Sequence, residues 1–356
     1  MPVAEDLALE TLFLPFIEER LPWPTDGALF LRARDGSPLR QRPLPGLVCE
    51  QTFKPDADAL QRAGFTVNPT LAAKYPLVLL LPPRQRDEAR ALMARAIAMT
   101  QPGGRVMACT SNNEGARSSE ADLERLGGEV ETLVKHRCRA FWTGPLQGPA
   151  DAALAADWLE LDAVRPIADG RFMSRPGVFA WDRIDVASAL LAQHFSADLT
   201  GHAADLGAGF GYLSAELLTR SPGISALDIY EAEGRALDLA KRNLASFESR
   251  AELDYRWHDV TAGLPRTYDV IVSNPPFHTH ARADRPDIGK RFIAVAAESL
   301  KPGGRLLVVA NRHLPYEAVL TAGFGKVRTV AQEHGYKIVE AVKAPAAPRR
   351  AGSPRR

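Results

Sequence analysis

Ala203-Ala204-Asp205-Leu206-Gly207-Ala208-Gly209-Phe210-Gly211, running directly into the helical pattern Tyr212–Thr219, decides the fold of this chain. A short apolar run ends in an acid, three alternating glycines follow, and a helix begins at once. Glycines there let the backbone turn tightly and approach a ligand at a helix N-terminus, where unpaired N–H groups favour negative charge. A lone Gly-x-Gly-x-Gly is a weak signal, because dinucleotide enzymes and ordinary turns use it too. Its neighbours sharpen it.

Downstream, strand-like and helix-like segments alternate. Ser225–Tyr230, Glu252–Trp257, Tyr268–Ser273 and Arg305–Ala310 read as strands, while Gly234–Phe247 and Arg291–Leu300 read as helices. Lys301-Pro302-Gly303-Gly304 reads as a turn. Such alternation predicts an α/β fold, a parallel sheet with helices on both faces. Lys326–Gln332 and Tyr336–Val342, separated by Glu333-His334-Gly335, predict an antiparallel hairpin at the sheet edge.

The first half echoes this plan. Pro76-Leu77-Val78-Leu79-Leu80-Leu81-Pro82-Pro83 resembles Tyr268–Pro276, a helix is expected over Asp87–Met99, and Gln101-Pro102-Gly103-Gly104 matches Lys301-Pro302-Gly303-Gly304. Val130–Lys135 and Arg137–Trp142 again suggest a terminal hairpin. The Pro-Pro pairs are 193 residues apart (82 to 275) and the Pro-Gly-Gly triplets 200 (102 to 302), which argues for internal duplication. The first copy lacks the chemistry of the second. Leu81 stands where the second has Asn274, Arg84 stands for the aromatic, and no glycine loop follows the early strand Ala28–Arg32. The boundary is expected between Gly148 and Arg175, giving domains 1–160 and 161–343. The basic tail 344–356 is expected to be disordered.

At 356 residues two domains are the natural expectation. An apolar content of 46% and a charged content of 24% are globular values. A net charge of +1 excludes a strong global field for nucleic acid, so any such grip rests on local patches. Arg84, Arg86, Arg90, Arg137 and Arg139 are the candidates for one. Cys49, Cys109 and Cys138 form no Cys-x-x-Cys pair and no ligand cluster, which fits a reducing compartment and no metal. The acidic segment Met1–Glu10 does not read as a signal peptide, and no apolar run approaches the roughly 18 residues of a membrane span. A cytoplasmic protein is expected.

Two acids extend the glycine loop into a nucleotide-type site. Glu231 lies 20 residues past Gly211 (211 to 231) at the end of the second strand, where a carboxylate can chelate ribose hydroxyls. It is preferred to Asp228, which falls inside the strand, and to Glu233. Asp259 ends the third strand and is placed to accept from an adenine amine. A dinucleotide is the rival ligand, but it gives no reason for Asn274-Pro275-Pro276-Phe277 after the fourth strand. The prolines lock φ and donate no N–H, the amide offers an acceptor to an amine, and the ring offers a flat face. This set suits an exocyclic amine on a planar base. The Asn274 side chain and the Pro275 carbonyl would take its two protons, and Phe277 would stack on it. The segment His280–Arg291 reads as a flap beside that pocket.

With Asp205-Leu206-Gly207-Ala208-Gly209, the run Asn274-Pro275-Pro276-Phe277-His278 resembles the bacterial ribosomal RNA guanine-N2 methyltransferases of the RsmC/RlmG type. Arg175-Pro176-Gly177-Val178-Phe179 resembles that family's segment ahead of the catalytic sheet, and an inert duplicated first half is a family trait. So is the basic-aromatic hairpin Lys135–Trp142. The resemblance implies two tandem Rossmann-like domains, each a seven-stranded, mostly parallel sheet with an antiparallel terminal hairpin, the first degenerate and serving as scaffold or RNA contact. It implies S-adenosylmethionine as cofactor, with Asp205 facing its methionine end. Gly207, Ala208, Gly209, Glu231, Asp259, Asn274, Phe179 and Asp185 are its further expected contacts. Asn274, Pro275 and Phe277 are then catalytic, while Pro276, Phe277 and His278 line the target base. The implied partner is ribosomal RNA or a ribosomal subunit, small-subunit RNA first, with the protein a monomer and away from membranes. One departure stands out: Asp185-Val186-Ala187-Ser188 carries Ala where the family has Gly. The competing readings are methylation of adenine N6 or of a protein glutamine, and a non-catalytic RNA-binding assembly factor.

Overall fold

The computed structural model describes residues 6–70, 74–276 and 286–345. By internal contacts the chain divides into unit 1, Met1–Arg165 with Arg175–Trp181, and unit 2, Pro166–Ser174 with Asp182–Arg356.

Unit 1 holds strands β1 (Ala28–Leu31), β2 (Leu47–Glu50), β3 (Thr66–Val67), β4 (Tyr75–Leu80), β5 (Thr100–Ser111), β6 (Val130–Lys135) and β7 (Cys138–Thr143) in the order β3-β2-β1-β4-β5-β7-β6. Helices α1 (Leu7–Ile17), α2 (Lys54–Arg62), α3 (Arg86–Ala98), α4 (Ala116–Gly127) and α5 (Ala152–Leu159) accompany them. Apolar clusters lie on both faces: Leu12, Phe13, Phe30 and Leu79 in one, and Leu29, Val78, Leu80 and Leu123 in the other. Burial on both faces is why Leu77–Leu80 reads as an unbroken apolar run rather than an alternating one.

A short ribbon of β8 (Arg165–Ile167) and β9 (Phe172–Ser174) follows. Unit 2 then repeats the plan with β10 (Thr200–Leu206), β11 (Gly223–Glu231), β12 (Glu252–Trp257), β13 (Tyr268–Ser273), β14 (Leu300–Asn311), β15 (Lys326–Glu333) and β16 (Tyr336–Val342), ordered β12-β11-β10-β13-β14-β16-β15. Its helices are α6 (Val186–Ala192), α7 (Tyr212–Arg220), α8 (Gly234–Leu244), α9 (Pro286–Ser299) and α10 (Glu317–Gly323). The β14–β16 and β15–β16 pairs are antiparallel; the other pairs of this sheet are parallel. α8 buries Ala236, Leu237, Ala240 and Leu244, the i, i+1, i+4, i+8 stripe of an amphipathic helix.

The two sheets match beyond strand order. In unit 2, Tyr268 pairs with Leu300 but Val270 pairs with Arg305, so Lys301–Gly304 is an excursion inside β14 rather than a turn before it. Unit 1 repeats the jump, with Tyr75 on Thr100 and Leu77 on Arg105. Gly103 and Gly303 sit at φ +81° and +79°, and a Cβ on Gly104 or Gly304 would come within about 3 Å of backbone carbonyls. Both copies therefore need the paired glycines at this point.

Local differences from the sequence expectation have simple causes. β7 begins at Cys138 because His136 and Arg137, at φ +52° and +58°, form the hairpin turn. The expected helix Gly234–Phe247 ends as α8 at Leu244 and tightens into a 3₁₀ turn over Ala245–Phe247. α9 starts at Pro286, five residues before the expected Arg291, with proline at the first helical position.

Candidate active site

Strand register brings the second unit's candidates to one level. Leu206 pairs with Tyr230 on one side and Ser273 on the other, so the next residues, Gly207, Glu231 and Asn274, lie together past the carboxyl ends of three adjacent strands. The chain leaves β10 for β11 and returns to β13 on its other side, the switch point where open α/β sheets bind ligands. Ser273 Oγ donates to the Leu206 carbonyl at 2.7 Å and fastens β13 to β10 beneath this level.

The glycine loop is held from three directions. Gly207 and Ala208 N–H groups donate to the Tyr230 carbonyl at 2.9 and 3.1 Å. Gly209 N–H donates to Glu231 Oε2 at 2.7 Å, and Glu233 N–H donates to Glu231 Oε1 at 2.7 Å. Asn243 Nδ2 donates to the Phe210 carbonyl at 2.8 Å, so α8 carries a clamp for the loop that sequence reasoning missed. The choice among acids resolves on geometry. Glu231 faces the loop, Glu233 caps α8, and Asp228 is buried among Tyr268, His202 and Arg266 inside the strand. Burial raises the Glu231 carboxyl above its ordinary range.

Asp205 sits two residues below that level and is fully buried. Ser214 Oγ of α7 donates to its Oδ2 at 2.7 Å, while Oδ1 is buried without a hydrogen-bond partner among the described residues. Burial, with the nearby Glu231 charge adding to it, pushes this carboxyl up to about 7. Asp259 caps the 3₁₀ turn Val260–Ala262, its Oδ1 accepting from Thr261 N–H and Oγ1 at 2.9 and 2.6 Å.

Asn274 is tethered by its nitrogen. Nδ2 donates to Asp185 Oδ2 at 3.0 Å and to Ser188 Oγ at 2.9 Å. Asp185 is also the N-cap of α6, accepting from Ser188 N–H at 2.9 Å, and Ala187 fits as an ordinary buried helical residue where the related motif has Gly. Pro275 is buried and Pro276 exposed. Phe277, His278 and most of the expected flap lie outside the described residues. Phe179 lies outside unit 2. Its ring is 61% exposed, and the segment Arg175–Trp181 belongs to unit 1, where a Cβ on Gly177 would meet Glu88 at 2.1 Å.

Ladder equivalence also places the first unit's counterparts. Matching Leu77 to Val270 sets Phe30 at the place of Asp205, Gln51 at Glu231, Leu80 at Ser273 and Leu81 at Asn274. Arg32 replaces Gly207 and keeps a positive φ of +54°. The arginines expected to form a basic patch are mostly neutralised. Arg84 pairs with Glu114 at 2.6 Å, Arg90 with Asp122 at 3.0 Å and Arg139 with Glu120 at 2.9 Å, and Arg86 lies 3.6 Å from Asp122. Lys135, His136 and Arg137 at the β6–β7 turn are exposed.

A family profile described as the methyltransferase small domain matches residues 169–340. The ribosomal RNA small subunit methyltransferase C of Pseudomonas aeruginosa is 32% identical over 288 residues, covering 80% of this chain and 84% of that protein. The protein of the same name from Erwinia tasmaniensis is 30% identical over 268 residues, covering 74% and 75%. Among solved structures, a T. thermophilus 16S rRNA N2 methyltransferase (RsmC) in complex with AdoMet and guanosine shares the fold. It has a TM-score of 0.76 at 23% identity, over 96% of this chain and 92% of that one. A relative this similar along most of its own length, together with the seven-stranded sheet and the glycine loop at its switch point, establishes that the chain belongs to the ribosomal RNA small subunit methyltransferase C family.

Proposed function

We propose that the chain transfers a methyl group from S-adenosylmethionine to the exocyclic N2 amine of a guanine in small-subunit ribosomal RNA. The observation that carries this reading is the tethered Asn274. Both of its amide protons are engaged by Asp185 and Ser188, and among the described residues its Oδ1 accepts no hydrogen bond. An aromatic amine is a poor nucleophile because its lone pair is delocalised into the ring. Accepting its two protons on Asn274 Oδ1 and the Pro275 carbonyl turns the lone pair out of conjugation and stabilises the positive charge that builds on nitrogen. Positioning supplies much of the rate, and the cationic product sheds its proton without a strong base. A guanine in folded RNA must be swung out of its stack to reach this level of the sheet.

The second unit fits the cofactor of its family. Asp205 Oδ1 is a buried acceptor without a partner among the described residues, and a Cβ on Gly209 would meet nothing within 4 Å, so that side of the loop is open. Glu231 offers a half-buried carboxylate at the same turn. The cofactor supplies an electrophilic methyl on a sulfonium, and the chain's part is to recognise its charge and hold it. Because the Asp205 carboxyl titrates at about 7 and a cationic ligand favours its ionised form, affinity for S-adenosylmethionine should rise about tenfold per pH unit below 7 and level off above it. Calorimetry from pH 5.5 to 8.5 reads this directly. A flat profile would remove Asp205 from charge recognition.

Among the described residues no helix is long and apolar enough to cross a membrane, and no group of three or more His, Cys, Asp or Glu is arranged to hold a metal. Incubation with labelled S-adenosylmethionine and separated ribosomal particles, followed by nucleoside mapping, tests the proposal. Label in N2-methylguanosine from small-subunit RNA is expected. Label in N6-methyladenosine or in protein would replace the substrate, and no incorporation with intact cofactor binding would favour an assembly factor.

A further inference from the structure

The sequence reading assigned Asp185 to the cofactor; its hydrogen bonds among the described residues run to Ser188 and Asn274. Asp185 Oδ2 accepts from Ser188 N–H at 2.9 Å and from Asn274 Nδ2 at 3.0 Å, while Ser188 Oγ takes the second amide proton at 2.9 Å. A carboxylate can only accept, so it dictates which end of the Asn274 amide faces it. With both N–H bonds used, rotation about the last side-chain bond is stopped and Oδ1 is turned to the opposite side. Asp185 itself cannot swing away, because the same oxygen caps α6.

We propose that Asp185 and Ser188 are positioning residues that lock the Asn274 amide, and that the Asp185 charge also strengthens Asn274 Oδ1 as an acceptor. The carboxylate attracts the Nδ2 protons and pushes the N–H bonding electrons back onto the amide nitrogen, which raises the negative charge on the conjugated oxygen. The same negative charge favours the cation that forms on the target amine. The residues never touch the reacting atoms; they act through Asn274. This rests on the amine-transfer reaction proposed above.

The experiment separates orientation from charge. Asp185→Ala loses both, and kcat at saturating cofactor should fall about 10- to 100-fold, the loss expected for a charged hydrogen bond, while the Kd for S-adenosylmethionine stays within about threefold. Asp185→Asn keeps an acceptor for both the Ser188 N–H and Asn274 Nδ2, so it should recover orientation and a large part of kcat. Ser188→Ala should lose roughly 5- to 10-fold in kcat, and Ser188→Thr, which restores a hydroxyl, should return most of it. A second readout is independent of turnover. The side-chain amide protons of Asn274, assigned by their disappearance in Asn274→Ala, should exchange slowly in the wild type and rapidly in Asp185→Ala.

A parallel loss of cofactor affinity with kcat preserved would make Asp185 a cofactor ligand and overturn the proposal. So would unchanged amide exchange in Asp185→Ala. Slow exchange that depends on Asp185, in a protein that methylates no ribosomal particle, would uphold the lock and reject the substrate reading instead.

Discussion

Asn274→Ala is expected to lower methyl transfer by at least 100- to 1,000-fold at saturating cofactor while leaving the Kd for S-adenosylmethionine within about threefold. The size follows from what the amide does. In the proposed reaction its Oδ1 is one of two acceptors that turn the amine lone pair toward the reactive carbon, so its loss would be felt in the transition state and little in the ground state. Neither β13 nor the loop level should move, because Ser273 Oγ on Leu206 holds the strand end independently of Asn274. Rapid-quench turnover paired with calorimetry distinguishes the outcomes. Turnover within a few-fold of wild type would show that the amine is held by something else.

Glu231→Gln should act on the other half of the reaction. The half-buried carboxylate accepts from Gly209 N–H and Glu233 N–H, and in the proposed site its remaining capacity, with its charge, would serve the hydroxyls of a ribose. Hydrogen bonds to a charged group contribute about 1.5–3 kcal/mol, so cofactor affinity should fall about 10- to 100-fold, with kcat at saturation largely preserved. The molecule already contains a version of this substitution. Gln51 occupies the equivalent place in unit 1, where its Oε1 accepts from Phe53 N–H and its Nε2 donates to the Ala33 carbonyl at 2.7 Å. The neutral amide keeps the turn together and offers no charge. Measured affinity of Glu231→Gln equal to wild type would place ribose recognition on another side chain.

Much of this was legible before any coordinates. Central strands buried on both faces appear as continuous apolar runs, and the repeated Pro-Gly-Gly marks a backbone excursion that only glycine satisfies, so the duplication and the alternation of strands and helices could be read. The glycine loop with Glu231 was legible because spacing along one βαβ unit sets which residues share a level. The Asp185–Asn274 bond was not, since 89 residues separate partners whose meeting depends on where α6 packs. Nor was the pairing of Arg84, Arg90 and Arg139, whose acids come from neighbouring elements and cancel charges that a one-dimensional reading counts as free. Phe179 was assigned by likeness to a motif, and nothing local in Arg175–Trp181 declares which unit it packs on.

The substitutions lining the first sheet act as a ratchet. Phe30 is fully buried in an apolar cluster, so reverting it to aspartate alone would place a carboxylate among Leu12, Phe13 and Leu79 with no ligand to answer it. Restoring a glycine at 32 would remove the Arg32 partner of Glu88 before any phosphate-like or ribose contact existed to compensate. The Phe30 step in particular lowers stability while returning no activity. Ancestry left two copies of one sheet, and selection on folding keeps the silent one from being revived piecemeal.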